Sequence, residues 1–379
     1  MTTQPDRAST AAQRPTLVVF RGGLGPTPVE QTVANARRAA TLDTIEAALS
    51  TGAYERAILA TDDELESPAI PSLEIDLDDG PFHFGQRLAA LIERNRLDSV
   101  VYLGGGSLPL LDAAGLAMIA QSVARVGTAI TNNAFSSDLI AFPVTDAVLE
   151  TIRASDRDNP LARALQESAG LTLEELPRTV ATQMDIDAPS DLAVLALTGE
   201  GGPRLRDYLR ALDLDLSRYT RVLPLFTDKR SQIVVAGRVG SHAWRYLEHE
   251  TACRVRLFAE ERGLEAEGRA EGRTARSLLG FFIEAAGIER FFEVLPELGD
   301  AAFIDTRVLL AHFRIEATRE DRFLSDLGAW SEIEEPFLRD FTRAAADAPI
   351  PVLLGGHSLM SGGLMALNEF AWLQHESNA

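Results

Sequence analysis

The sequence is most informative at first through what it lacks. It has one cysteine, Cys253. An internal disulfide framework is therefore excluded, and a reducing compartment fits. It has one lysine, Lys229, so nearly all 36 basic side chains are arginine. Any phosphate-binding cation in the first half must then be Arg. Positive charge is scarce, and the formal net charge is -20. A duplex backbone would repel such a chain, so general nucleic-acid binding is not expected. No stretch approaches the roughly 20 apolar residues that a membrane span needs. The first fifteen residues are polar and lack the apolar core of a signal peptide. The expectations are a disordered tail over 1–15, a cytoplasmic location and no membrane partner.

What is present is enough for two cores. The chain has 379 residues, 46% hydrophobic and 24% charged, a globular composition that can fill two domains. Apolar, β-branched runs at Thr16–Phe20, Arg56–Thr61, Leu73–Leu77, Ser99–Leu103, Ala129–Thr131 and Leu139–Phe142 read as strands. Arg178–Met184 reads as a further strand. Between them, Val29–Ser50, Phe84–Arg94, Asp112–Arg125, Val144–Ala154 and Pro160–Gly170 carry helical spacing. Alternation of this kind predicts an α/β domain, a mostly parallel sheet with helices on both faces. Thr198–Pro203 is a composition break, so the domains are expected at 16–198 and 204–379. The second is expected to be mainly helical, over Arg204–Leu212, His242–Arg262, Thr274–Gly287, Asp305–Phe313 and Pro336–Ala346. Two strand-like runs, Ser231–Ala236 and Ile350–Leu354, interrupt it.

The stretch with the most chemistry is Gln183-Met184-Asp185-Ile186-Asp187-Ala188-Pro189-Ser190-Asp191-Leu192. Side chains two apart on extended chain point the same way. Asp185 and Asp187 would thus face one spot, just before a helix that opens on Pro189. Paired carboxylates can hold a hard cation such as Mg2+. A capped helix with two solvated acids is the simpler alternative.

This stretch resembles the late Asp-x-Asp-x-Pro-x-Asp-Leu segment of the nucleotidyltransferase superfamily with a glycosyltransferase-A-like fold. Molybdenum-cofactor and phospholactate guanylyltransferases are the nearest in pattern. The resemblance covers the first half only. It implies that Asp185 and Asp187 bind metal. A second matching patch is Val100-Val-Tyr-Leu-Gly-Gly-Gly-Ser-Leu-Pro-Leu-Leu111. Aligned on Pro109, the family's other metal-binding Asp falls on Ser107, a poor Mg2+ ligand. A third patch, Phe84-Gly85-Gln86-Arg87, resembles the helix start beside the nucleotide base. It implies close approach at Gly85 and a phosphate or substrate contact from Arg87. An amphipathic helix with an early glycine fits as well.

The resemblance also implies a glycine-rich turn near the triphosphate. Arg21-Gly22-Gly23-Leu24-Gly25 supplies one, with Gly22 and Gly23 amides for phosphate oxygens. Further charge would come from Arg37 or Arg38. Arg21, Arg37 and Ser107 are the positions assigned to catalysis. Asn132, Asn133 and Ser137 fall where the family meets its acceptor, though an Asx-type turn fits them too. The implied reaction transfers a nucleotidyl group from a nucleoside triphosphate to a small phosphorylated or hydroxylated metabolite, with Mg2+ as cofactor if active. The alternative is a non-catalytic or repurposed protein that binds a nucleotide or sugar-phosphate, its helical domain serving assembly or regulation. A homo-oligomer is allowed for.

Two other patterns are lures. Gly356-His357-Ser358-Leu359-Met360 opens like a hydrolase nucleophile turn but lacks the last glycine. No acid and then histidine follow in the required order. His249 and Cys253 are four apart, as half of a zinc site would be, without a second histidine at motif spacing. A strand, glycine turn and helix start at 350–364 can still bind an anion. Arg307, His312 and His357 are expected to line a second anion pocket or a domain interface.

Overall fold

The computed structural model describes residues 14–62, 69–78, 80–123, 127–264, 268–270 and 272–378. The expected tail up to residue 13, and the helix end expected at Arg125, lie outside these. The chain divides into two compact units that interleave in sequence. One takes Met1–Gly22, Ile45–Gly104 and Asp112–Leu176; the other takes Gly23–Thr44, Gly105–Leu111 and Pro177–Ala379. Residues 198–204 fall inside the second.

The first unit is built on seven strands: β1 (Thr16–Arg21), β2 (Ala57–Thr61), β3 (Leu73–Leu77), β4 (Ser99–Gly104), β5 (Thr128–Thr131), β6 (Leu139–Pro143) and β7 (Thr172–Glu175). Their order is β3-β2-β1-β4-β6-β5-β7, and only β6 runs antiparallel to its neighbours. Val18, Phe20, Ile58, Val100, Tyr102, Ile140 and Phe142 form one face of the core, under Leu88, Leu91, Val148, Ile152 and Leu165 from three helices. Leu17, Val19, Leu59 and Val101, on the other face, are equally buried. Strands buried on both sides must read as continuous apolar runs, and these do. This is the expected α/β class. β7 was not foreseen: Thr172–Glu175 is mostly exposed, so burial left no apolar pattern.

The segment expected as the last strand, Arg178–Met184, is instead a short helix, Val180–Gln183. Local hydrogen bonds decide this. The Thr179 amide donates to Thr182 Oγ1 at 2.9 Å, and that hydroxyl donates to the Pro177 carbonyl at 2.7 Å. Such bonds favour a capped turn over a ladder.

The second unit is rich in helix, as expected, but its helices surround a four-stranded parallel sheet. The strands are β8 (Gln232–Gly237), β9 (Arg254–Ala259), β10 (Ala301–Asp305) and β11 (Val352–Gly355), in the order β11-β10-β8-β9. Only β8 and β11 were expected. The helix foreseen over His242–Arg262 stops at Glu250, and β9 follows. In β9 Val255 and Leu257 turn inward while Arg254 and Arg256 turn out, the period of a strand. The spacing that suggested half a zinc site therefore fails, since His249 and Cys253 are not on one helix. Ile233, Val235, Ala301, Phe303 and Leu353 pack on one side of this sheet. Val234, Ala236, Ala302, Ile304 and Leu354 pack on the other. Both faces are covered, as a parallel sheet requires.

Candidate functional site

The paired acids stand on extended chain, as their spacing predicts. Met184, Ile186 and Ala188 are buried, at 0%, 1% and 3% exposure, while Asp185 is half-buried and Asp187 exposed. The two carboxylates thus leave the chain on the solvent side. The helix Pro189–Thr198 follows with Pro at its start. Asp191, in its first turn, reaches back and accepts from the amides of Asp187 (2.9 Å) and Ala188 (2.8 Å). It satisfies two donors there. Asp191 is wholly buried. Burial first, and the Asp187 charge second, push its carboxyl well above the usual carboxylate range, against the two amide bonds.

Ser107 lies beside this motif. It pairs antiparallel with Asp185 as an isolated bridge. The Leu108 amide donates to Asp185 Oδ1 at 3.1 Å, and the Ile186 amide donates to the Gly106 carbonyl at 3.2 Å. Gly106 and Leu108 both take left-handed backbone, φ 85° and 48°, which bends the turn toward the acids. Arg37 crosses the turn. A Cβ on Gly106 would lie 2.6 Å from Arg37 Cγ, and Arg37 Nε donates to the Gly105 carbonyl at 2.8 Å. The second unit therefore brings Arg37, Ser107 and Asp185 together, with Asp187 two residues on.

Among the described residues, no group of three or more His, Cys, Asp or Glu is arranged to hold a metal ion. One oxygen of Asp185 already accepts an amide, and Ser107 offers a neutral hydroxyl. These residues fit a hydrated Mg2+ that arrives on a ligand's phosphates and takes one or two carboxylates. They do not fit a dedicated three-acid metal centre.

Several other positions of the first half make structural contacts. Arg21 is buried at the end of β1, where its Nη2 donates to Thr61 Oγ1 at 3.0 Å. Gly22 and Gly23 are exposed. Within the second unit, the buried Glu30 carboxylate accepts from the amide and hydroxyl of Thr27, at 3.2 and 3.0 Å. It lies 2.1 Å from where a Cβ on Gly25 would be. An acid thus fills the turn at the helix start, where a phosphate would need positive potential. Gly85 permits close packing of helices: its Cβ would fall 1.9 Å from the Ile152 carbonyl oxygen. Arg87 Nη2 and Nε bind the carboxylates of Asp76 and Asp78, both at 2.8 Å. It further donates to the carbonyls of Asp76 and Leu77, both at 3.2 Å. It fastens the end of β3.

Asn132, Asn133 and Ser137 close the loop between β5 and β6. Asn132 Oδ1 accepts from the amides of Asp138 and Leu139, at 3.0 and 3.1 Å. Asn133 Oδ1 accepts from the Phe135 amide at 3.1 Å, and Ser137 Oγ donates to the Asn159 carbonyl at 3.1 Å. The Asn133 bond is that of an Asx-type turn, and the others tie the loop to its own far side and to Asn159.

The second anion set is divided. His312 is buried, with Nδ1 accepting from the Ser277 amide at 3.0 Å and Nε2 3.4 Å from Glu284 Oε1. Arg307 and His357 instead gather around Arg238, Asp305 and Asp326. Arg238 Nε and Nη2 bind the two oxygens of Asp305 at 2.6 and 3.2 Å. Arg307 binds Asp326 in the same two-pronged way, through Nη1 and through Nη2 at 2.6 Å. Burial works against the Asp305 charge, but Arg238, then Arg307 and His357, hold its carboxyl below the usual value. Burial also works against the Arg307 charge, and Asp326 and Asp305 outweigh it and raise its pKa. Packing around the His357 ring, and then Arg238, keep the imidazole below the ordinary histidine value although its edge meets solvent. The Gly237-Arg238-Val239-Gly240 turn after β8 was the available signal for this cluster.

Comparison with known proteins adds a coarse likeness. No family model and no curated protein matches the chain. A solved structure from Desulfovibrio desulfuricans, provisionally named a nucleotide-diphospho-sugar transferase, is similar at 17% identity and a TM-score of 0.40. The similarity covers 52% of this chain and 93% of that one. Among the described residues, no helix is long and apolar enough to cross a membrane.

Proposed function

We propose that this chain is a repurposed nucleotidyltransferase-like protein of glycosyltransferase-A type. It binds a nucleotide or sugar-phosphate and does not transfer a nucleotidyl group. The observation that carries this reading is the Ser107–Asp185 bridge. It sets a hydroxyl against the acid motif at the position where the sequence resemblance expects a metal-binding Asp. Nucleotidyl transfer depends on metal ions and cation clamps for charge stabilisation. Removing one metal acid strikes at that device. Glu30 in the first glycine turn, and Arg87 spent on Asp76 and Asp78, support the same reading. When a ligand carries Mg2+, Asp185 and Asp187 would hold it, and the ion would neutralise phosphate charge. Binding in a cytoplasmic setting, with no nucleic-acid or membrane partner, belongs to this proposal.

A second reading keeps the enzyme. Asp185 and Asp187 do leave the chain on one side, and Asp187 is exposed. Thermal shift with each nucleoside triphosphate, with and without Mg2+, separates the readings when combined with pyrophosphate release over a metabolite panel. The expected result is stabilisation by ligand, no pyrophosphate, and a stronger Mg2+ requirement in Ser107→Asp. Mg2+-dependent pyrophosphate release, abolished in Asp187→Ala, would establish the enzyme instead. No response to any nucleotide or sugar-phosphate would overturn both.

A further inference from the structure

The four parallel strands of the second unit reverse their order between β8 and β10. The chain goes from β8 outward to β9, then returns to place β10 and β11 on the other side of β8. In open parallel sheets the crevice outside the strands' carboxyl ends, where the order reverses, is where ligands bind. Arg238 follows β8, Asp305 ends β10, Arg307 opens the next helix, and Gly356 and His357 follow β11. The end of β8 is pressed onto Asp305: a Cβ on Gly237 would meet Asp305 Cβ at 2.2 Å.

Two guanidinium groups converge on one spot at these strand ends. A point one carbon bond out from Gly356 Cα lies 3.5 Å from Arg307 Nε and 3.9 Å from Arg238 Nη2. Buried carboxylates hold both groups from behind, since the side chains of Asp305 and Asp326 are 0% exposed. Among the described residues, nothing takes Arg307 Nε, Arg238 Nη1 or the second hydrogen of Arg238 Nη2. Such fixed forks suit an oxyanion. His357 adds a different group. Its Nδ1 is 3.1 Å from the Arg238 carbonyl oxygen, which can only accept. Nδ1 therefore carries the proton, and Nε2 of the neutral ring presents a lone pair.

We infer that this switch-point crevice is a binding site for a small metabolite that carries an oxyanion and, beside it, a hydroxyl or amine. The oxyanion sits over Gly356 between Arg238 and Arg307, and the neutral donor meets His357 Nε2. The two buried carboxylates cancel the guanidinium charges at a distance. Recognition then rests on short hydrogen bonds, so affinity changes little with ionic strength. The site adjoins the acid pair, since the Asp187 charge reaches His357 and Ser358 binds the Asp185 backbone, but it is built from residues that the nucleotidyltransferase reading does not use.

Imidazole 1H–15N spectra of the full chain, titrated with inorganic phosphate, glycerol 2-phosphate and acetate, test this. The His357 ring is expected in its Nδ1–H form, and its signals move saturably with at least one of these probes. Gly356→Ala places a methyl on the oxyanion's position with only ordinary contacts at 3.5 Å and beyond. It should fold, as its melting curve will show, and bind about tenfold more weakly or worse, the loss of a charge-assisted bond. His357→Gln, read by the ligand-dependent rise in melting temperature, should weaken glycerol 2-phosphate and leave inorganic phosphate unchanged. Signals that no probe moves, or that move equally in folded Gly356→Ala, overturn the proposal.

Discussion

The Ser358 hydroxyl holds the main chain of Asp185 at both ends. It donates to the Asp185 carbonyl at 2.9 Å and accepts from its amide at 3.3 Å. Ser358 is 2% exposed, and a Cβ on nearby Gly362 would strike the Gln183 carbonyl oxygen at 2.4 Å. The Gly356–Gly363 turn is therefore a clamp on the backbone that carries the acid pair. Ser358→Ala removes both bonds. The expected loss is about 1–3 kcal/mol, read by denaturant unfolding. An unchanged midpoint would mean that other groups hold Asp185.

Gly85 and Gly22 make opposite predictions. An alanine at Gly85 would put its Cβ 1.9 Å from the Ile152 carbonyl oxygen and 2.5 Å from that of Ser155. Both obstacles are backbone, so two helices must separate. Gly85→Ala should destabilise by about 1–3 kcal/mol or more, as overpacking does. Gly22→Ala meets nothing nearer than Asp62 Oδ2 at 4.0 Å and should leave the melting temperature unchanged. A Gly85→Ala protein that melts normally but loses nucleotide binding would restore the base-contact role to that glycine.

What could be read in advance divides along physical lines. The sidedness of Asp185 and Asp187 was legible because burial of Met184, Ile186 and Ala188 imposes a period of two on the sequence itself. The first sheet was legible for the same reason, since fully buried strands must be apolar. β9 was not. Arg254-Val-Arg-Leu-Phe fits a helix or a strand, and pairing with β8 decides between them. The purpose of Gly85 was hidden because the obstacle, the Ile152 carbonyl, is brought there only by folding. The Arg238–Asp305 and Arg307–Asp326 pairs were hidden likewise, because each joins residues from different elements. The apolar flanks Phe303, Ile304, Val308, Leu309 and Leu310 suggest that some charges here turn inward, but only the fold selects Asp305 and Asp326 as fully buried.

Asp191 makes stability depend on pH in a definite direction. Its folded pKa lies well above the ordinary 3.8, through burial and then the Asp187 charge. The folded state therefore holds this proton more tightly than the unfolded chain. The contribution is fully present below the unfolded pKa and is lost as pH rises through the folded one. Asp191→Asn keeps an oxygen for the amides of Asp187 and Ala188 and carries no charge. Its stability relative to the native chain should rise steadily as pH increases above about 4. Denaturant unfolding at a series of pH values reads this difference. A flat difference across that window would show that the two amide bonds keep Asp191 ionised at no cost.

The Arg307–Asp326 pair tests whether its role is stability or the presentation of a donor. The Asp326 side chain is 0% exposed and that of Arg307 only 12%. Arg307→Met alone would leave a buried carboxylate without its partner, at about 3–5 kcal/mol. Replacing both, Arg307→Met with Asp326→Leu, removes charge and desolvation together. That double variant should recover most of the loss, because buried pairs seldom exceed apolar packing in net stability. Denaturant unfolding of the two singles and the double gives the coupling directly. If the double recovers stability, the pair is dispensable for folding. Its fixed guanidinium, with Nε turned over Gly356, then calls for another reason, which the oxyanion site supplies. If the double is as unstable as the singles, the pair is structural, and the case for that site rests on Arg238 and His357 alone.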